Sequence, residues 1–283
     1  MTLRKLLSHR ASINVRSFPG YDHETELPSL NQILNGENVN SPKIKFRGFP
    51  GIQMRYSGEG MMILQKVLGD VLEQSFQSIM KEWVFRPLGM MKSFFDPVPP
   101  DRFLKNISSG YTWGYKPVKG GWKLYPESAA AGLWSTSKDL AYFVIEMQKA
   151  LEGENPNFLT QDRAREILKT PDGIPMDLGF FVKQLNGSLM IGHDGWNDGF
   201  VSRMMLLVDK GQGAIIMLNS NQGTNLLNEI ENAIAEEYHW PSSLKDKVGS
   251  YVVPSNLSVY TGLYIGKNGI TVEICYDKKS SML

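Results

Sequence analysis

Apolar residues recur at helical spacing in the first half of the chain and change to strand runs in the second. Leu64, Val67, Leu68, Val71 and Leu72 fall on one face of a helix beginning near Glu59, and a second segment, 75–85, stops at Pro87 and Gly89. Leu140, Phe143, Val144, Met147 and Leu151 form a further helical face, with Thr136 and Asp139 at capping-box spacing before it. A shorter helix opens at Thr160 and ends near Thr170 and Pro171. Beyond that point, 179–185 and 188–192 flank Asn186-Gly187, whose residues both tolerate the positive φ of a type I′ hairpin turn. Two more apolar runs, 202–208 and 214–219, are joined by a polar, glycine-containing segment at 209–213, and an amphipathic stretch, 226–238, follows. An antiparallel sheet backed by a helix is the predicted outcome.

Between these elements, residues 2–8 read as the end of a helix and 9–55 as a long loop rich in Gly, Pro, Asn and Ser. Residues 96–134 are irregular, with Tyr111, Trp113, Tyr115, Trp122 and Tyr125 among Gly and Pro; packing is the default for these rings. The stretch 257–275 reads as short strands around Gly262, Gly266 and Gly269. The predicted organisation is a domain over 1–240, with a helical and loop part at about 9–175 and a sheet part at about 176–240. A linker follows at 241–255, and 256–283 begins a C-terminal β unit.

A chain of 283 residues is long enough to bury a substantial core, so size permits an enzyme. Its 30 basic and 29 acidic side chains nearly cancel, leaving no field to draw it to nucleic acid, and no nucleic-acid partner is expected. The single cysteine, Cys275, has no internal disulfide partner, and His9, His23, His193 and His239 lack metal-ligand spacing, so neither metal nor cofactor is expected. No run approaches the ~20 apolar residues of a membrane span, and no transmembrane segment is expected. The stretch before Arg10 lacks the apolar run of a signal peptide, which leaves the compartment open.

Several short motifs stand in one order: Leu6-Leu7-Ser8-His9, Pro50-Gly51, Tyr56-Ser57-Gly58, Arg86-Pro87-Leu88-Gly89-Met90, Ala131-Gly132-Leu133-Trp134-Ser135-Thr136 and His193-Asp194-Gly195. Together they resemble the serine β-lactamase-related family of class C enzymes, D-alanyl-peptidases and esterases, over roughly 2–240. The resemblance implies an α/β chain of α+β type, with an antiparallel sheet flanked by helices and a mostly helical subdomain. It also implies acyl-serine hydrolysis of a small-molecule or peptide ester or amide. A serine hydroxyl needs a base to take its proton during attack, and in this family a lysine one turn after the serine shares that work with a tyrosine. Tyr56 matches the tyrosine. Gly58, His193, Gly195 and Trp196 match substrate-binding positions, with the Trp196 N–H as an oxyanion donor. Gly58 stands where many β-lactamases carry asparagine, which points away from lactam hydrolysis and towards esterase-like or peptidase-like relatives. Taken alone, His193 is equally a hydrogen-bonded loop histidine.

By the same resemblance, Ser-x-x-Lys belongs a few dozen residues before Leu6, and Met1 is five residues before it. The expectation is an N-terminally incomplete domain without the first strands and nucleophile helix, nearly inactive alone, and altered in oligomeric state or complemented by an N-terminal fragment. Ser135-Thr136-Ser137-Lys138 has the spacing, but it lies at a helix start, where capping accounts for it. The alternatives are a non-catalytic binder of peptide or cell-wall fragments that keeps the pocket around Tyr56, His193 and Trp196, and a degenerate gene fragment.

Overall fold

The strand-period half of the chain forms a five-stranded antiparallel meander. Its strands are β1 (Met176–Asp177), β2 (Phe180–Leu185), β3 (Ser188–Asn197), β4 (Phe200–Leu207) and β5 (Gln212–Leu218), side by side in chain order. The turn between β2 and β3 is the expected one: Leu185 pairs with Ser188, and Asn186 and Gly187 take φ of +25° and +94°. Gly211, at φ +60°, reverses the chain between β4 and β5 after a 3₁₀ turn over Val208–Lys210. The computed structural model describes residues 1–154, 158–169, 176–241, 261–265 and 271–275.

Helices cover both faces of the sheet. On one face α7 (Ser137–Glu152) and α8 (Gln161–Glu166) place Val144, Met147, Leu151 and Ala164 against Ile191 and Leu206. On the other, α9 (Thr224–Glu237) sets Leu227 and Ala235 against Val201, Met205, Leu207 and Ile216. At roughly 2 kcal/mol per buried aliphatic side chain, these interfaces outweigh the tenths of a kcal/mol that separate helix propensities. Thr136 caps α7 as expected, its Oγ1 accepting from Asp139 N at 3.2 Å. The Asp139 carboxylate turns instead to Lys92 N (2.7 Å) and Ser93 Oγ (2.8 Å), fastening a distant loop to the helix start.

The first half packs as short helices and loops. α1 (Leu3–Leu7) leads into an extended segment, and α2 (Leu30–Asn35) interrupts the long loop with a full capping box from Ser29 and Gln32. α3 (Gly58–Leu72) is capped by Ser57, and α4 (Phe76–Met80) continues into a π turn at Lys81–Phe85. Phe76, Phe85, Leu88, Met90 and Phe95 form the core of this helical part. α5 (Asp101–Leu104) and α6 (Ser128–Ala131) lie in the stretch expected to be irregular, and α6 packs on α3.

These elements belong to one compact unit, Met1–Pro241; Ser242–Leu283 forms another. In the second, β6 (Gly262–Ile265) pairs antiparallel with β7 (Thr271–Ile274), within the stretch expected to hold short strands. The 241–255 linker lies outside the described residues apart from Pro241. Among the described residues no helix is long and apolar enough to cross a membrane.

Candidate active site

β3 carries His193 across from Met204 of β4, with Phe181 of β2 against its ring at 5.4 Å. Asp194 points the other way, held by Arg203 of β4 through a two-pronged contact of 2.8 and 2.9 Å; Arg203 also meets Glu231 of α9. This fork pins the strand on the α9 side and leaves His193 facing the first half of the chain. Tyr56 comes from that half, one residue before the cap of α3, and its Oη lies 3.3 Å from His193 Nε2. His193 Nδ1 sits 2.6 Å from the Asp194 carbonyl, to which it donates. Nε2 therefore carries the lone pair, and the Tyr56 O–H donates to it.

Burial sets the charge states. It lowers the His193 pKa, partly offset by the bond to the Asp194 carbonyl and by the Asp194 charge, and it favours the neutral ring. Burial raises the Tyr56 pKa; Arg16, 5.9 Å from the ring, opposes this and Asp194 adds to it. The resting pair is a neutral phenol donating to a neutral imidazole. Such a pair can pass a proton in either direction once a substrate arrives.

Behind Tyr56 lies His9, 2% exposed, its ring 4.2 Å from the phenol ring and its Nδ1 accepting from Ser57 N at 3.0 Å. Deeper still, Glu59 in the first turn of α3 and Glu127 at the start of α6 are both fully buried, and none of their four carboxylate oxygens has a hydrogen-bond partner. Burial raises both pKa values to about 7, and for Glu59 the charge of Glu127 adds to it. Glu59 follows Tyr56-Ser57-Gly58, while α6 ends at Ala131, whose carbonyl accepts from Asn197 Nδ2 at 2.8 Å, at the end of β3.

The residues expected from the sequence are distributed as follows. Tyr56 and His193 touch. Trp196 lies on the same strand with its side chain 61% exposed. A β-carbon on Gly195 would meet Ser202 Oγ at 2.3 Å, across the β3–β4 pairing. Gly58 is buried, and a β-carbon there would lie 2.7 Å from Phe18 Cε2 and 3.1 Å from the Arg16 carbonyl. Ser57 Oγ donates to the Val15 carbonyl at 2.9 Å and caps α3. Ser135 Oγ pairs with Ser93 Oγ at 2.8 Å, and Lys138 lies over the Tyr142 ring. Two more Ser-x-x-Lys sequences stand in the chain, Ser78–Lys81 and Ser242–Lys245, which the motif reading passed over. Ser78 is exposed on α4 and hydrogen-bonded to Ser75; Ser242 lies outside the described residues. Among the described residues no group of three or more His, Cys, Asp or Glu is placed to hold a metal. Sequence reasoning also missed His9, Glu59 and Glu127 as neighbours of the site. His9 stands in a quoted motif, which was a usable signal; the two glutamates carry none.

The Beta-lactamase family model matches residues 1–238. An unguisins hydrolase of Aspergillus campestris is 24% identical over 242 residues, covering 80% of this chain and 43% of that protein. The chain therefore spans less than half the length of that curated relative. Among solved structures, a D-amino acid amidase from Ochrobactrum anthropi, complexed with D-phenylalanine, superposes with a TM-score of 0.64 at 19% identity, over 84% of this chain and 78% of the amidase. The octameric penicillin-binding protein homologue from Pyrococcus abyssi gives 0.66 at 19% identity, over 96% of this chain and 63% of its own. At these identities the superpositions establish the β-lactamase/transpeptidase-like fold.

Proposed function

The chain belongs to the beta-lactamase family, and from that premise we propose that it carries the tyrosine and histidine side of an acyl-hydrolase site for ester, amide or peptide substrates. The observation behind this is the Tyr56 Oη–His193 Nε2 contact at 3.3 Å, made between residues 137 apart in sequence. The reaction begins with serine attack on the acyl carbonyl, the serine proton passing to a base. The Trp196 N–H then donates to the developing oxyanion, the Tyr56 phenol protonates the leaving group as the acyl bond breaks and is reprotonated from that base, and water then cleaves the acyl-serine ester. His193 holds the phenol between these events, Gly195 keeps the strand beside it unobstructed, and Gly58 joins the tyrosine loop to α3. The amidase supports the amide substrate class, and the unguisins hydrolase supports a hydrolytic reaction.

On this reading none of Ser57, Ser78 and Ser135 is the nucleophile, because each is engaged away from Tyr56, and the serine and its lysine come from another segment. A complementing segment is the natural source. The test uses the 283-residue chain with a fluorophosphonate probe and a chromogenic ester. The expected result is no serine adduct and no turnover above background, with both appearing when a Ser-x-x-Lys segment of the family is fused in front. In that fusion Tyr56→Phe is expected to lower turnover by about 10²-fold or more. Labelling of Ser57, Ser78 or Ser135 in the unfused chain would overturn the assignment.

A further inference from the structure

His9 holds the same three residues with its main chain and its side chain. Its carbonyl accepts from Arg55 N at 2.7 Å, its Nδ1 accepts from Ser57 N at 3.0 Å, and its ring lies 4.2 Å from the Tyr56 ring at 30° to it. A β-strand would supply one carbonyl to each of those amides; here an imidazole nitrogen stands in for the second. Tyr56 is thus bracketed on both flanks and along one ring face.

The backbone of His9 makes this placement selective. It closes α1 in the left-handed region, at φ +53°, donating its N–H to the Leu6 carbonyl at 3.0 Å. Glycine or asparagine is the unstrained residue in that position, and a strained side chain persists where its surroundings determine it. Nor is the ring fully satisfied as a packed core group, since Nε2 is buried with no hydrogen-bond partner. The single hydrogen bond that the side chain makes ends on the residue after Tyr56. Burial, with His193 nearby, lowers the His9 pKa to about 4, so Nδ1 remains an acceptor at neutral pH.

We infer that His9 is the positioning residue of this site, fixing the Tyr56 segment so that the phenol meets His193. This rests on the reading of Tyr56 as the group that moves the proton. A planar ring that stacks, an acceptor bonded to Cγ and a neutral charge at working pH are all needed, and histidine supplies the three together.

The test uses the 283-residue chain and three substitutions. His9→Asn offers Oδ1 to Ser57 N and tolerates the left-handed backbone; His9→Phe keeps the ring without the acceptor; His9→Gly removes both and relieves φ. The readouts are ultraviolet difference titration of the Tyr56 phenol, isolated by subtracting Tyr56→Phe, and the urea midpoint. The expected result is a fall of the Tyr56 titration towards the ordinary tyrosine value in His9→Gly and His9→Phe, with His9→Asn close to wild type. An unchanged or raised urea midpoint in His9→Gly, alongside a lowered Tyr56 titration, separates positioning from simple support of the fold. An unchanged titration in both His9→Gly and His9→Phe overturns the inference, as does His9→Asn behaving like His9→Gly. If His9→Gly does not fold, the His9→Asn and His9→Phe pair decides the matter by the same criteria. Failure of the underlying reading would register elsewhere, as full hydrolysis by the fused chain carrying Tyr56→Phe with the His9 titration results intact.

Discussion

The buried glutamates beside the site give the chain a pH-dependent stability that runs opposite to ordinary acid denaturation. Glu59 and Glu127 are fully buried without hydrogen-bond partners, and burial raises each pKa from 4.5 to about 7. In the unfolded chain these carboxyls release their protons near 4.5, while the folded chain holds them to about 7. Folded stability from this source is complete below pH about 4.5, declines as pH rises, and is gone above about 7. A gap of about 2.5 units at 1.36 kcal/mol each corresponds to roughly 3 kcal/mol per carboxyl, an upper bound against the ~5 to 15 kcal/mol total of a typical domain. Glu59→Gln has nearly the same shape and no charge to bury, and it also relieves Glu127 of a like-charged neighbour. Urea unfolding measured from pH 5 to 8.5 is expected to show the wild-type midpoint falling across the window. Glu59→Gln and Glu127→Gln are each expected to flatten that fall and to exceed wild type at pH 8. A wild-type midpoint that stays level or rises over this range, with both variants parallel to it, would refute the reasoning.

Three further outcomes follow from the geometry. Gly58→Ala places a β-carbon 2.7 Å from Phe18 Cε2 and 3.1 Å from a carbonyl, and is expected to cost about 1 to 3 kcal/mol in thermal or urea unfolding. Arg203→Met removes the fork on Asp194 and leaves Glu231, whose side chain is 7% exposed, without its cation. A loss of about 2 kcal/mol is expected, smaller in Glu231→Gln/Arg203→Met than the two single losses added. The His193 ring is expected to titrate below the ordinary histidine value of about 6.5 when followed by NMR, because burial disfavours its charged form.

What the sequence revealed depended on the range of the interaction. The Asn186-Gly187 turn and the face of α7 were legible because each is decided within a few residues, by positive φ in one case and periodicity in the other. The helix Leu30–Asn35 reads as loop in the sequence, because the surrounding Gly, Pro and Asn mask the capping-box spacing of Ser29 and Gln32. Asp139 shows where local reasoning stops: its spacing fits a reciprocal cap, yet its carboxylate satisfies Lys92 and Ser93 instead. Tyr56 and His193 were paired from the order of motifs, not from anything periodic, and the unpartnered state of Glu59 and Glu127 depends on packing that no local pattern encodes. The same holds for Gly195, whose neighbour Ser202 becomes visible only once β3 and β4 are in register.

The meander of strands has a kinetic consequence for the site built on it. Each strand from β1 to β5 pairs with its neighbour in sequence, so the sheet can zip up through short loops, whereas the Tyr56–His193 contact closes a loop of 137 residues. By chain-entropy scaling that closure costs roughly 4 kcal/mol before any contact rewards it. In refolding, the sheet is expected to form early and the phenol to reach the imidazole among the last events. The contact that defines the chemistry is therefore a timer for the completed fold: a chain that has built its sheet but stalled before docking its first sixty residues would look largely folded by backbone spectroscopy and would lack the site.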